Sequence, residues 1–320
     1  MLDIISNAKY AALFPGQGSQ FVGMISGFNN SPYLKELLPK VSDICNIDFY
    51  ELLSCDKKNK LNLTQYTQPA LLISSYVLWR HFSDYIKIHN ISNPEVLAGH
   101  SLGEYSALVS AGCIDILDAI KLVYYRGLYM QDSLDTKISG AMAAILGLDN
   151  DIVFELVQDF TQDINNKNEI LEVANYNALG QVVVSGIKNT VEDFLVYAKE
   201  KGAKITTLLP VSVPAHSSLM QNAADKLKDL LDKINFNLPN IPVFSNVTSK
   251  LHNENIDEIK QLLFLQMTSS VRWVEIIQNI KLMNIDNAYE IGVNNVLTKL
   301  NKRIDKSIKS QAINNIKEVA

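Results

Sequence analysis

Val96-Leu97-Ala98-Gly99-His100-Ser101-Leu102-Gly103-Glu104-Tyr105 is a short apolar run, a serine between two glycines, and the start of a helical register. Val96 to Ala98 reads as a strand that stops at Gly99, and Leu102 to Ala111 as a helix that Gly112 ends. Between them, Gly99-His100-Ser101-Leu102-Gly103 fits a G-x-S-x-G turn. A nucleophile on such a turn sits on a sharp, strained strand-to-helix bend, with glycines beside it because a side chain there strikes the neighbouring strand or helix. The bend holds the Ser101 hydroxyl above a sheet. It also leaves the Leu102 N–H at a helix N-terminus, facing developing negative charge. An ordinary tight turn between strand and helix shares the pattern, so the surrounding chain has to decide.

Outward from the bend, strand and helix signals alternate, which predicts an α/β architecture. Tyr10 to Phe14 is an apolar run that stops at Pro15-Gly16, a buried strand; Thr67 to Arg80 has helical spacing through Ala70, Ile73, Val77 and Leu78. Ile116 to Met130 is a helix with Asp115 as its N-cap. Residues 140–209 read as a separate unit. It has a strand over Ala141 to Gly147, a helix over Asp151 to Phe160, strands over Leu171 to Asn175 and Val182 to Ser185, a helix over Thr190 to Lys201 and a strand over Lys204 to Leu208. The order βαββαβ is a ferredoxin-like signature. The chain then returns to the larger unit, 1–139 with 210–320, and Ser310 to Ala320 is expected to fray.

Composition sets the bounds. At 320 residues, 47% hydrophobic and 20% charged, the chain can bury a sizeable core. Nothing in a net charge of −5 suggests nucleic acid as a partner, which normally asks for a clustered basic excess. Cys45, Cys55 and Cys113 show no metal-ligand or C-x-x-C spacing and suit a reducing compartment. The N-terminus lacks a cationic segment followed by an apolar run. The longest uncharged stretch, Leu61 to Trp79, is broken by Gln65, Gln68, Pro69 and two serines, which does not suit a membrane span. A soluble, cytoplasmic protein is expected.

A serine hydroxyl needs a base. Of the five histidines, His81 and His89 lie in a polar stretch, His252 lies in a polar loop, and His100 adjoins the serine with its side chain pointing elsewhere. His216, in Ser212-Val-Pro-Ala-His216 between a strand and a helix starting near Leu219, is left as the candidate. A third, acidic member is not obvious. Asp115, Asp118 and Asp149 lie between Ser101 and His216, but none sits at a distinctive strand end, and a backbone carbonyl can fix a histidine tautomer equally well.

The chain resembles the malonyl-CoA–acyl carrier protein transacylases of fatty acid synthesis and the related acyltransferase domains of polyketide synthases. The resemblance runs nearly end to end. It rests on Phe14-Pro-Gly-Gln-Gly-Ser-Gln20, Tyr66-Thr-Gln-Pro-Ala70, Gly99-His-Ser-Leu-Gly-Glu-Tyr-Ser-Ala107, Gly140-Ala-Met-Ala-Ala144, Gly180-Gln-Val-Val183 and Val211-Ser-Val-Pro-Ala-His216. It implies a large α/β-hydrolase-like domain with an inserted ferredoxin-like subdomain. It further implies that Ser101 is the nucleophile, His216 the base, and the backbone N–H groups of Gln17 and Leu102 the oxyanion hole. Arg126 would meet the substrate, the Gln266 carbonyl would orient His216, and His100, Asn175 and Asn177 would lie near the substrate. The chain departs from the family pattern at Ser270, usually proline, and at Gly292-Val293-Asn294, usually Gly-Pro-Gly.

The function so implied is transfer of a malonyl group from malonyl-CoA to acyl carrier protein through an ester on Ser101, with no metal and no bound cofactor. Arginine's planar fork suits the free malonyl carboxylate. On spacing alone, Arg126 falls at the edge of the stripe Ile116, Leu117, Ile120, Val123, Tyr124, Gly127 and Met130, where a solvated surface arginine is the simpler reading. An acidic carrier needs a basic patch. Lys299, Lys302, Arg303, Lys306 and Lys309 recur at helical spacing, either as a docking face or as a merely solvated one. The rival functions are a serine thioesterase and an acyltransferase serving a polyketide line.

Overall fold

Tyr10 to Phe14 forms the axis of the larger unit because every one of its side chains is buried and they alternate between two cores. Tyr10, Ala12 and Phe14 pack on one side, Ala11 and Leu13 on the other. A strand covered on both faces reads as an unbroken apolar run, which is why YAALF shows no polar alternation. The computed structural model describes residues 8–133, 139–163, 169–211 and 213–318. In chain order the elements are β1 (Tyr10–Phe14), α1 (Pro32–Cys45), α2 (Phe49–Ser54), α3 (Thr64–Ile88), β2 (Val96–Gly99), α4 (Leu102–Ser110), α5 (Ile116–Gln131), β3 (Gly140–Leu146) and α6 (Asn150–Asp163). There follow β4 (Leu171–Ala178), β5 (Gln181–Ile187), α7 (Lys188–Glu200), β6 (Ile205–Leu208), α8 (Gln221–Lys233), α9 (Ile256–Gln266), α10 (Trp273–Leu282), β7 (Asn287–Ile291), α11 (Val296–Ile304) and β8 (Lys309–Ile313).

Two sheets divide the strands. One is parallel, in the order β2-β1-β7-β8; the other is antiparallel, in the order β4-β5-β3-β6. The chain therefore has an α/β fold of mixed sheets. Helices α1, α3, α4, α5 and α8 fill one side of the parallel sheet, and α10 and α11 the other. In the antiparallel sheet Ala141, Ala143 and Ile145 face the helices α6 and α7, while Met142, Ala144 and Val183 face away from them. The antiparallel sheet is tied to the segment before α10 where Tyr176 N donates to the Val271 carbonyl and Val271 N to that of Ala174, each at 2.9 Å. Ser270, where the family pattern has proline, adds a hydroxyl bond to the Val173 carbonyl. Among the described residues no helix is long and apolar enough to cross a membrane.

Three expectations need correction. Residues 310–313 do not fray: β8 pairs with β7 over Asn287–Lys309 to Ile291–Ile313. Its few residues gave little local signal, and the pairing that orders them is distant in sequence. The basic face from Lys299 to Lys309 is not one helix, because α11 ends at Ile304. Asp305 closes it, with its carboxylate accepting from Ser307 N at 2.8 Å, so Lys306 lies on a turn and Lys309 in β8. All five cations stay exposed. The third concerns α5, whose buried positions are Ala119, Ile120, Leu122, Val123, Arg126, Gly127 and Met130. The buried face is rotated from the apolar stripe, and Arg126 lies within it, at 1% exposure.

Candidate active site

The carboxyl ends of β1 and β2 are neighbours in the parallel sheet, with Phe14 in register with Gly99. Crevices outside the carboxyl ends of parallel strands are where such sheets bind ligands. The segment after β1 carries Gln17, and the bend after β2 carries Ser101. The bend is as tight as the glycines require. A Cβ on Gly99 would lie 1.9 Å from the Gly103 carbonyl group, and one on Gly103 only 2.0 Å from the Phe14 oxygen. Ser101 itself has φ +52°, a left-handed conformation that a non-glycine residue holds only where its surroundings enforce it. Asn246 does much of that enforcing. Its Oδ1 accepts from Ser101 N at 2.6 Å, and its Nδ2 donates to the Gly99 carbonyl at 2.7 Å.

His216 arrives from the segment after the antiparallel sheet and is buried, at 4% exposure. Its Nε2 lies 2.8 Å from Ser101 Oγ, and its Nδ1 lies 2.8 Å from the Gln266 carbonyl oxygen. A carbonyl only accepts, so Nδ1 carries the proton and Nε2 offers its lone pair to the serine hydroxyl. Burial, and next the charge of Arg126, push the His216 pKa down from its ordinary 6.5 to about 3. The imidazole is therefore neutral at ordinary pH.

Arg126 closes the group. Its Nη2 donates to Gln266 Oε1 at 3.0 Å and lies 3.3 Å from Ser101 Oγ; its Nη1 donates to Gln68 Oε1 at 2.8 Å. Among the described residues the buried Nε–H has no hydrogen-bond partner, and the guanidinium carbon stands 5.6 Å from the centre of the Tyr105 ring. Burial lowers the arginine pKa, opposed by Tyr105 and by the Glu104 carboxylate. A buried cation held by neutral amides at the wall of the cleft suits an anionic ligand.

Ser101, His216, Arg126, His100, Asn175, Asn177, Gln17 and Leu102 all line one cleft of about 370 Å³. Asn177 Oδ1 lies 2.7 Å from His100 Nε2, and Asn175 is buried in β4 at 5% exposure. Met142 and Val183 bring the inner face of the antiparallel sheet to the same cleft. Neither the Gln17 nor the Leu102 N–H is spent on a hydrogen bond among the described residues. Gln266 reaches His216 through its backbone and Arg126 through its side chain.

Several participants went unread in the sequence. Gln68 lies inside the Tyr66 to Ala70 motif and Glu104 inside the elbow motif, yet nothing in either spacing assigns them a role. Asn246 carried no signal at all. His252, expected in a polar loop, is a buried side chain whose Nε2 donates to Glu104 at 2.8 Å. Polar residues around it in sequence concealed its burial.

A family model described as the acyl transferase domain matches residues 12–307. A malonyl CoA-acyl carrier protein transacylase from Escherichia coli O157:H7 is 40% identical over 307 residues, covering 96% of each chain. The solved malonyl CoA-acyl carrier protein transacylase of Coxiella burnetii is similar at TM-score 0.90 and 36% identity, over 98% of this chain and 96% of that one. A malonyl-transacylase solved in complex with its type II PKS acyl-carrier protein is similar at TM-score 0.90 and 37% identity, over 98% of both chains.

Proposed function

We propose, from the premise that this chain belongs to the acyl transferase family, that it moves a malonyl group from malonyl-CoA to the phosphopantetheine thiol of an acyl carrier protein. The observation that carries this is the buried Arg126 guanidinium standing 3.3 Å from the Ser101 hydroxyl. Malonyl carries its free carboxylate one methylene beyond the thioester carbonyl. A cation this close to the nucleophile fits a diacid that short.

The cycle has two halves. Ser101 Oγ attacks the thioester carbonyl as its proton passes to His216 Nε2. The tetrahedral oxygen is held by the Gln17 and Leu102 N–H groups, each such donor being worth about 2.7–4 kcal/mol. The C–S bond breaks, and the leaving thiolate takes the proton from His216. In the second half the carrier thiol gives its proton to His216 and attacks the Ser101 ester, and the proton returns to Ser101 as its C–O bond breaks. The Gln266 carbonyl keeps the imidazole in one tautomer through both halves, which explains how the site works without an acidic third member. Asn175, Asn177 and His100 form the wall that the acyl and pantetheine groups pass.

The order of strands supports the finer reading of the fold. The sequence β3-α6-β4-β5-α7-β6 with sheet order β4-β5-β3-β6 suits a ferredoxin-like subdomain over 140–209, inserted in a hydrolase-like domain formed by 1–139 and 210–320. Three free cysteines suit the reducing cytoplasm as its location. We take the carrier to be that of fatty acid synthesis.

With malonyl-CoA and carrier supplied together, the malonyl group appears on the carrier thiol and free malonate stays a minor product. Mass spectrometry of both proteins reads this out. Release of malonate to water with an unmodified carrier would return the site to the thioesterase reading.

The depressed pKa of His216 fixes the pH behaviour. The base form is the unprotonated one, and its pKa lies below the ordinary 6.5. Activity is therefore retained as pH falls through 6.5 and is lost only as it approaches the lower value. The rate of Ser101 acylation at low malonyl-CoA should stay flat from about pH 8 down to about pH 5. A fall centred near pH 6.5 in stopped-flow or quench measurements shows an imidazole titrating at its ordinary value, and contradicts the depression by burial and Arg126.

A further inference from the structure

Beneath the bend lies a carboxylate that the transfer reaction does not use. Glu104, in the first turn of α4, has 0% exposure. A charge so buried persists only where donors converge on it. Glu104 Oε2 accepts from Gln266 Nε2 at 2.6 Å and from Asn246 N at 3.2 Å, while Oε1 accepts from His252 Nε2 at 2.8 Å. Among the described residues His252 Nδ1 has no hydrogen-bond partner, and the ring meets Glu104 through Nε2 alone. Two of the three donors belong to residues that hold the site itself.

The Gln266 amide stands between Glu104 and Arg126. Its Nε2 reaches Glu104 and, at 3.0 Å, the Ser101 carbonyl; its Oε1 receives Arg126 Nη2. The two ends of an amide are nearly alike in shape and opposite in hydrogen-bonding sense, so neighbours decide its orientation. A carboxylate only accepts. It obliges Gln266 to turn its NH2 inward, which leaves the oxygen for the guanidinium. Reversed, the amide would set its own donors against those of Arg126.

We propose that Glu104 is a positioning residue: it fixes the Gln266 side-chain amide and, through that amide, aims Arg126 at the carboxylate of the acyl group. It touches no reacting atom. The proposal rests on the reading of Arg126 as the partner of that carboxylate. His216 is oriented by the Gln266 backbone, so the side-chain relay governs which acyl group loads rather than whether the base works.

The test is the rate of Ser101 acylation by malonyl-CoA and by acetyl-CoA in Glu104→Ala, Glu104→Gln, Gln266→Leu and the double variant Glu104→Ala/Gln266→Leu. Glu104→Ala should lower the malonyl-to-acetyl ratio about tenfold, the lower end of what removing an orienting partner costs at metal sites. Glu104→Gln, whose amide oxygen still accepts from Gln266 Nε2, should keep most of the ratio. Gln266→Leu should lower it as Glu104→Ala does, and the double variant should fall no further, since both act through one relay. Proportional loss of both acyl groups in Glu104→Ala overturns the proposal in favour of a purely structural carboxylate. So do additive losses in the double variant. Should Glu104→Ala fail to fold, Gln266→Leu alone decides, and an unchanged ratio there rejects the relay. Arg126→Ala is run alongside. Selectivity surviving in that variant removes the Arg126 reading, and the relay falls with it.

Discussion

Ser101→Ala gives a folded protein that gains no malonyl mass and transfers malonyl about 10⁶-fold more slowly, the scale of loss seen when a serine nucleophile is removed from such a site. The substitution takes away one oxygen and leaves the Cβ. The backbone at position 101 is already at φ +52°, and alanine meets the same strain there as serine. The bonds from Asn246 to the bend run through backbone groups of Ser101 and Gly99, which alanine does not change. Unfolding is therefore not expected, and a thermal melt close to that of the parent checks this. What disappears is the atom within 2.8 Å of His216 Nε2. Without it, transfer would need direct attack of the carrier thiol on malonyl-CoA, with no covalent intermediate. Intact-mass measurement after mixing with malonyl-CoA decides the matter: an adduct persisting in Ser101→Ala puts the nucleophile elsewhere.

Arg126→Ala should lower malonyl loading by roughly 10²- to 10³-fold while leaving acetyl loading far less affected. The estimate follows from about 3–5 kcal/mol for stranding a buried carboxylate without its partner, at about 1.4 kcal/mol per decade. Two side effects accompany the change. Gln68 and Gln266 each lose the donor that satisfied an amide oxygen, which costs stability. His216 loses a cation that helps hold its pKa down, so the imidazole becomes easier to protonate. Both act on every acyl group alike, and the ratio of malonyl to acetyl loading cancels them. Arg126→Lys separates charge from geometry, since lysine keeps the charge and lacks the planar fork. It should recover part of the malonyl rate and, with acetyl loading little changed, a matching part of the selectivity. A malonyl-to-acetyl ratio in Arg126→Ala equal to that of the parent would falsify the assignment.

What could be read from the sequence was what the backbone dictates over a few residues. Gly99 and Gly103 bracket Ser101 because there is no room for a Cβ at either position, and that steric demand is written in the letters themselves. Asp115 announces α5 because its side chain accepts from Leu117 N at 2.8 Å, a bond two residues long. Tyr10 to Phe14 announces a central strand because both of its faces are buried. The order βαββαβ was legible for the same reason, since each of its elements declares its own period. The resemblance to a known family added the roles that spacing alone left open, with Arg126 and Gln266 foremost.

The rest depends on residues far apart in the chain meeting in space. Helix α9 and strands β7 and β8 were not anticipated, because short buried elements carry little periodicity and owe their order to pairing across the sheet. His216 is 115 residues from Ser101, and the Gln266 amide meets the Ser101 carbonyl across 165. Asn246 and Glu104 hold the bend through contacts 142 residues long or more. Local spacing put Arg126 at the edge of a stripe; packing of α5 against α3 and α4 turned it inward. The sequence by itself determined the bend and the strand and helix on either side of it, because sterics and hydrogen bonds between near neighbours suffice for those. Only the tertiary structure decided that an imidazole, a guanidinium and a buried carboxylate gather around that bend, because each is brought there by the packing of the whole chain.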